Sequence, residues 1–153
     1  TKQVMRLSQE VFYGNSIAAV GVAAHETGHA IQHKEKYSPL LIRNSIVPLV
    51  NFGSSMSWVL FVLGMVLRFS GLINLGIMLF TLVVVFQIIT LPVEFDASKR
   101  ALVILREKEI LYKEEIVKAK SVLNAAAMTY VAAALMAVSQ LLRLIVLSGN
   151  RRD

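Results

Sequence analysis

The feature that most constrains the fold is a pair of long apolar runs in the middle of the chain. Residues 45–69 contain one charged side chain, Arg68, and residues 72–93 contain none. Each run reaches the roughly 20 residues that an α-helix needs to cross ~30 Å of hydrocarbon. Only Ser70 and Gly71 separate the two runs. The sequence therefore predicts an antiparallel transmembrane hairpin.

A third run, residues 122–147, is long enough to span but is rich in alanine and carries Gln140 and Arg143. Small residues four apart allow close helix packing, although a buried helix of a soluble protein is the alternative. The chain is 56% hydrophobic and only 17% charged, where soluble domains approach a quarter. We predict a mainly α-helical polytopic membrane protein, with at most a short β-strand at residues 4–7.

The basic residues predict the orientation of the hairpin. Of the 16 Lys and Arg residues, five precede the first span and seven lie between the second and third spans. A hairpin places both groups on one side of the membrane, and the positive-inside rule makes that side cytoplasmic. The remaining four are Arg68, Arg143, Arg151 and Arg152. We expect a multi-pass membrane protein with both basic segments on the cytoplasmic side.

These patterns divide a single membrane-embedded domain into four segments. The third segment contains a predicted amphipathic helix at residues 97–120, and Pro92 and Asp96 predict a break before it. Because the chain begins with Thr1, we expect that its N-terminus is truncated. The segments are a cytoplasmic segment that contains all three histidines (1–44), the hairpin (45–93), a cytoplasmic segment (94–121) and the third span (122–147).

The motif H-E-x-x-H, formed by His25, Glu26 and His29, carries the chemistry. Ser8 or Ser16 offers an N-cap for the helix around it. Histidines four residues apart lie on one face, ~6 Å apart along the axis, and can bind one zinc ion. Glu26 is rotated by ~100°, where a general base for a metal-activated water belongs. With no cysteine in the chain, any metal must be held by histidine and carboxylate.

A catalytic zinc site needs a third protein ligand. His33 lies eight residues from His25, ~12 Å along the same helix, and does not converge on the same ion. Glu94 ends the second span, and the hairpin returns it to the side of the membrane that carries the motif. The alternative for Glu94 is a solvated cap of the helix. We predict Zn²⁺ bound by His25, His29 and Glu94 at the cytoplasmic boundary of the membrane.

Three sequences in order resemble a known family. The chain carries "RLSQEVFYGNSIAAVGVAAHETGHAIQH", "LPVEFDASKRA" and "VLNAAAMTYVAAAL", and it is similar over essentially its whole length to bacterial membrane neutral zinc metallopeptidases of the YugP-like family. H-E-x-x-H followed by E-F-x-A resembles, more distantly, HtpX-like and CAAX-prenyl-protease-like gluzincins. The resemblance implies a gluzincin-like fold, with Glu94 as third ligand and Glu26 as base. Those distant relatives have Asp where this chain has Ser98. Whether Ser98, Asp96 or a backbone carbonyl orients a zinc histidine stays open.

The expected activity is metal-assisted hydrolysis of peptide bonds. Glu26 would pass the water proton to the leaving amine. Tyr130 is a candidate donor to the oxyanion, although packing at the membrane interface is the favoured role. The alternatives are an intramembrane protease, disfavoured because too few apolar residues precede the motif, and a non-catalytic adaptor or transporter subunit with a structural zinc. We expect a peptide or membrane-protein substrate, a lipid bilayer and no nucleic acid as partners, with homo- or hetero-oligomerisation left open.

Overall fold

The computed structural model describes residues 4–149, and this part of the chain forms five helices without a strand. Residues 4–7 carry no regular secondary structure, so the candidate strand there does not form and the mainly α class is confirmed. Lys2, Arg151 and Arg152 of the charge argument lie outside the described residues. The helices are α1 (Gln9–Phe12), α2 (Ile17–Lys34), α3 (Ser38–Leu67), α4 (Ser70–Glu107) and α5 (Lys113–Gly149).

Serine side chains begin the first two helices. Of the two N-caps that the sequence offers for the motif helix, Ser16 begins it, and Ser8 begins the separate short helix α1. Ser8 accepts a hydrogen bond from Val11 N, and Ser16 accepts one from Ala19 N, which satisfies backbone donors that the first turn leaves unpaired. Helix α2 ends where Lys36 adopts a left-handed conformation with φ of 54°. The whole H-E-x-x-H motif therefore lies inside one regular helix.

Helices α3, α4 and α5 are each long and apolar enough to cross a membrane. The turn between α3 and α4 lies at Arg68 and not at the predicted Ser70–Gly71 link. Arg68 has φ of 53°, and Phe69 N donates to Gly64 O, a bond that closes the C-terminus of α3. Ser70 and Gly71 then begin α4.

The break predicted at Pro92 and Asp96 is wrong, because α4 continues through both residues to Glu107. Proline removes one backbone donor, but long spanning helices tolerate that loss when their surroundings hold the backbone. Here one face of α4 is fully buried at four-residue intervals. Packing along that face keeps the helix continuous. Its residues are Val93, Ala97, Ala101 and Leu105.

The amphipathic helix predicted at residues 97–120 is divided in two. Residues 97–107 end α4, and a turn at residues 108–112 precedes α5. Glu109 has φ of 53°, and Ile110 N donates to Leu105 O to close α4. Tyr112 N donates to the Glu115 carboxylate at 3.0 Å, as in one half of a capping box. These local bonds end α4 and begin α5, although the apolar residues on both sides of the turn keep a helical spacing.

The chain forms two compact units. The first contains the N-terminal residues as far as Leu41 together with Leu91–Tyr130. Its core joins α2 to the end of α4 and the start of α5. All candidate site residues belong to this unit. The core side chains are Ala24, Ala101, Leu105, Ile116, Ala119 and Leu123.

The second unit contains Ile42–Thr90 and the C-terminal residues from Val131. Its core joins the α3–α4 hairpin to the far half of α5 through Phe61, Ile73, Phe80, Val84 and Leu144. Large apolar side chains also cover its surface; Val66 and Met136 are each 73% exposed. Such a surface suits contact with lipid better than contact with water.

Candidate metal centre

Two histidines of α2 and one glutamate of α4 converge in the first unit. His25 Nε2 lies 3.2 Å from Glu94 Oε2, and His29 Nε2 lies 3.5 Å from the same oxygen. The ligand atoms of these three residues lie within 4.8 Å of one another. The arrangement brings together the three predicted ligands. Within residues 4–149, His33 is exposed and does not belong to the group.

A glycine inside the motif lets α2 and α4 approach closely. A Cβ built on Gly28 would lie less than 3.0 Å from Ala97 O and 3.1 Å from the carbonyl carbon of Ala97. Any larger residue at position 28 would therefore push the two backbones apart. Since Glu94 lies one turn before Ala97, this contact sets how near the carboxylate comes to the histidines.

The three donors match what a zinc ion requires. Zinc–nitrogen and zinc–oxygen bonds of ~2.0–2.2 Å in a tetrahedral arrangement place neighbouring ligand atoms about 3.3 Å apart. The two nitrogen–oxygen distances at Glu94, 3.2 and 3.5 Å, bracket that value. Two imidazoles with one carboxylate also form a donor set of known catalytic zinc sites. The residues present therefore fit zinc.

Burial and charge differ between the ligands. The Glu94 side chain is 4% exposed, whereas the side chains of His25 and His29 are 16% and 23% exposed. Burial by itself lowers the pKa of His29, but hydrogen bonds to Glu94 and Gln32 and the charges of Glu94 and Glu26 outweigh it, so the pKa is raised. A buried carboxylate needs a compensating positive charge, which a proton or a metal ion can provide.

The outer nitrogens of both histidines have polar neighbours. Ser98 Oγ lies 3.1 Å from His25 Nδ1, and Gln32 Oε1 lies 2.9 Å from His29 Nδ1. Such neighbours orient ligand rings and select their tautomers. The sequence left open whether Ser98, Asp96 or a backbone carbonyl orients a zinc histidine. In the structure, Ser98 contacts His25 directly, whereas Asp96 contacts Gln32, which in turn contacts His29.

Gln32 is the site residue that sequence reasoning missed. It lies three residues after His29, so its position on the same helix face was readable from spacing alone. The sequence did not reveal that the side chain is fully buried or that its partners belong to α4. Glu26 follows His25 on α2 and is partly buried, as is Tyr130 on α5. The oxyanion role of Tyr130 stays a prediction.

Comparison with known proteins agrees with the geometry. Residues 1–149 match the family described as "Putative neutral zinc metallopeptidase". The chain belongs to this family. This match confirms the resemblance to zinc metallopeptidases found in the sequence. A relative, "Putative membrane protease YugP" of Bacillus subtilis (strain 168), is 50% identical over 153 residues, which are 100% of this chain and 68% of that protein. No solved structure matches the chain significantly.

The three apolar helices, together with a relative named as a membrane protease, support a membrane location for the protein. Helices α3, α4 and α5 exceed the length that a bilayer requires. Members of a zinc metallopeptidase family need a metal site, and the cluster of His25, His29 and Glu94 can hold one.

Proposed function

We propose that the protein is a zinc-dependent metalloendopeptidase that hydrolyses peptide bonds at the cytoplasmic face of the bacterial plasma membrane. His25, His29 and Glu94 hold the zinc ion, and Glu26 is the general base. The observation that carries the proposal is the convergence of three ligand atoms from α2 and α4 within 4.8 Å. The substrate is a peptide or a membrane protein with an extended, accessible segment.

The chain's own residues divide the work of catalysis. A bound zinc ion supplies Lewis acidity, which makes a water molecule acidic and polarises the scissile carbonyl. Glu26 accepts the proton of the attacking water and then gives it to the leaving amine. Tyr130 is the candidate oxyanion donor, which would give a hydrogen bond to the carbonyl oxygen as negative charge develops, although packing at the membrane interface is its favoured role. Ser98 and Gln32 hold the two histidine rings in place.

Two features favour catalysis over a structural zinc site. Structural sites close the metal with four protein ligands, whereas catalytic sites use three. In the part of the chain described here, no fourth His, Asp or Glu joins the group. Both histidines also keep part of their surface exposed, which a substrate needs for access. The alternative of a non-catalytic membrane adaptor or transporter subunit gives Glu26 no task.

The cytoplasmic orientation is supported by charge. Twelve of the basic residues lie either before residue 45 or between residues 94 and 121, and the proposed ligands come from the same two segments. The positive-inside rule assigns such segments to the cytoplasm.

A paired assay of Glu26→Gln tests the proposal. The variant keeps the shape of the side chain and removes the base, so zinc content should stay near one per chain while cleavage falls by roughly 10²–10⁴-fold. The substrate is an unstructured peptide tethered to the vesicle that carries the protein. Glu10→Gln, an exposed change in α1, is the matched control. A chelator should abolish cleavage and added zinc should restore it. Equal cleavage by wild type and Glu26→Gln would contradict the catalytic role.

A further inference from the structure

One buried amide connects the metal centre to a chain of charged groups. Gln32 is 0% exposed, and its side chain makes three hydrogen bonds. Nε2 donates to Val93 O and to Asp96 Oδ2, each at 2.8 Å, and Oε1 lies 2.9 Å from His29 Nδ1. A primary amide in such a place is costly unless its groups are paired. Here both ends of the amide are paired.

The partners determine which way the amide points. Val93 O is a carbonyl and accepts only. The Asp96 carboxylate also accepts, because Arg100 Nε donates to the same oxygen at 2.6 Å. Gln32 must therefore direct its NH₂ group towards these two oxygens. Its carbonyl oxygen then faces His29 Nδ1.

The tautomer of His29 follows from that orientation. A carbonyl oxygen cannot donate a hydrogen bond, so Nδ1 of His29 must carry the hydrogen. In the neutral ring, the lone pair then lies on Nε2, which is the nitrogen that faces Glu94. The other histidine is not restricted in this way, because the Ser98 hydroxyl beside His25 Nδ1 can either donate or accept.

We propose that Gln32 is a positioning residue that holds His29 as the Nδ1–H tautomer and so directs the Nε2 lone pair to the metal. The inference rests on the proposed function for the identity of the metal. Asp96 acts through Gln32 by fixing the amide, and Arg100 holds Asp96 in place. Arg100 also pairs with Glu35 at 2.6 Å, at the C-terminal end of α2. We call the linked side chains the relay: His29, Gln32, Asp96 and Arg100.

The relay differs from the usual arrangement, in which a carboxylate or a backbone carbonyl accepts directly from the zinc histidine. Here a neutral amide stands between the carboxylate and the ring. If the donating NH₂ group of Gln32 is replaced by an acceptor, the accepting group at position 96 must be replaced by a donor to keep the pair. That requirement supplies a rescue test that a purely structural role would not pass.

The experiment uses the full chain in lipid nanodiscs, labelled with ¹⁵N-histidine. The chain has three histidines, so His33→Gln leaves two rings to assign. Nitrogen shifts identify which ring nitrogen carries hydrogen, and competition with a chelator gives zinc affinity. In the parent protein, Nδ1 of the neutral His29 ring should carry the hydrogen, both with zinc bound and without zinc. Zinc should bind through Nε2.

Three variants separate the proposal from simple packing. Gln32→Met keeps the length but removes the acceptor, and should weaken zinc binding by roughly 10–100-fold. Gln32→Glu should weaken it similarly, because the new carboxylate would face Val93 O and Asp96. In Gln32→Glu/Asp96→Asn, the introduced amide can donate to the introduced carboxylate, which still accepts from His29 Nδ1, whereas Val93 O loses its donor from position 32. Part of the affinity and the Nδ1–H signal should return.

Thr90→Val is the matched control, since it removes a buried hydroxyl that bonds only within α4, to Phe86 O at 2.8 Å. Its zinc affinity should equal that of the parent. An unprotonated His29 Nδ1 in the parent would overturn the proposal, even if the Gln32 variants do not fold. A folded Gln32→Met protein with unchanged zinc affinity would also overturn it. Neither readout depends on peptidase activity, so an inactive parent would contradict the proposed function and leave Gln32 to be decided by these measurements.

Discussion

Replacing Gly28 with alanine should damage the metal centre although it improves the local helix. Alanine favours a helix interior over glycine by about 1 kcal/mol. The added methyl group, however, would lie less than 3.0 Å from the Ala97 carbonyl oxygen. That oxygen belongs to the backbone of α4 and cannot rotate away. The two helices must therefore separate.

The size of the effect follows from the distances. Ordinary contact begins near 3.4 Å, so the backbones must move apart by roughly 0.5–1 Å, and overpacking of this kind costs ~1–3 kcal/mol. After the gain in helix propensity, we expect a net loss of stability of about 1 kcal/mol. Glu94 moves with α4, so its contacts with the histidines lengthen from 3.2 and 3.5 Å. Activity should fall by roughly 100-fold.

The assay compares two glycines of the same helix. Gly21 lies two turns before Gly28, and a Cβ there would meet only Ala119 Cβ, at 4.0 Å. Gly21→Ala should keep zinc affinity and activity and raise the melting temperature. Gly28→Ala should lower all three, as measured by chelator competition, peptide cleavage and thermal unfolding in the same detergent. If Gly28→Ala behaves like Gly21→Ala, the close approach of α2 and α4 does not set the ligand geometry.

Three further results are expected. Glu94→Ala should lower zinc affinity by more than the roughly 10–100-fold lost when a residue that only hydrogen-bonds to a ligand is replaced. Near-stoichiometric zinc in that variant would show that Glu94 is not a ligand. A cysteine at Lys108, exposed in the turn after α4 of this cysteine-free chain, should react with an impermeant reagent only after the cells are permeabilised, and labelling in intact cells would reverse the orientation. Tyr130→Phe decides between the two roles of that residue: an oxyanion donor requires kcat to fall by roughly 10²-fold with little change in KM, and the favoured packing role requires an unchanged kcat.

The sequence predicted the elements that depend on composition and local spacing. Apolar runs without charge predicted the long helices, because a bilayer permits few other structures. Four-residue spacing predicted that His25 and His29 share a face. Hairpin topology predicted that Glu94 returns to them. Each of these follows from one segment or from a short connection.

The sequence could not predict features that depend on packing between distant segments. A proline and an aspartate close together usually end a helix, yet buried contacts along α4 outweigh that local preference at Pro92 and Asp96. Gln32 was overlooked for a related reason. Its spacing gives its face on α2, but its partners, Val93 and Asp96, lie about 60 positions further along the chain.

The continuous helix is also what builds the site. Glu94 and Ser98 lie four residues apart on α4 and contact the same ring from successive turns, Glu94 at His25 Nε2 and Ser98 at His25 Nδ1. A break at Asp96 would place them in separate segments, and only one could keep its position beside His25. Because α4 continues, both nitrogens of His25 are held by one rigid helix. The geometry of the metal centre therefore requires α4 to continue as a helix through Pro92.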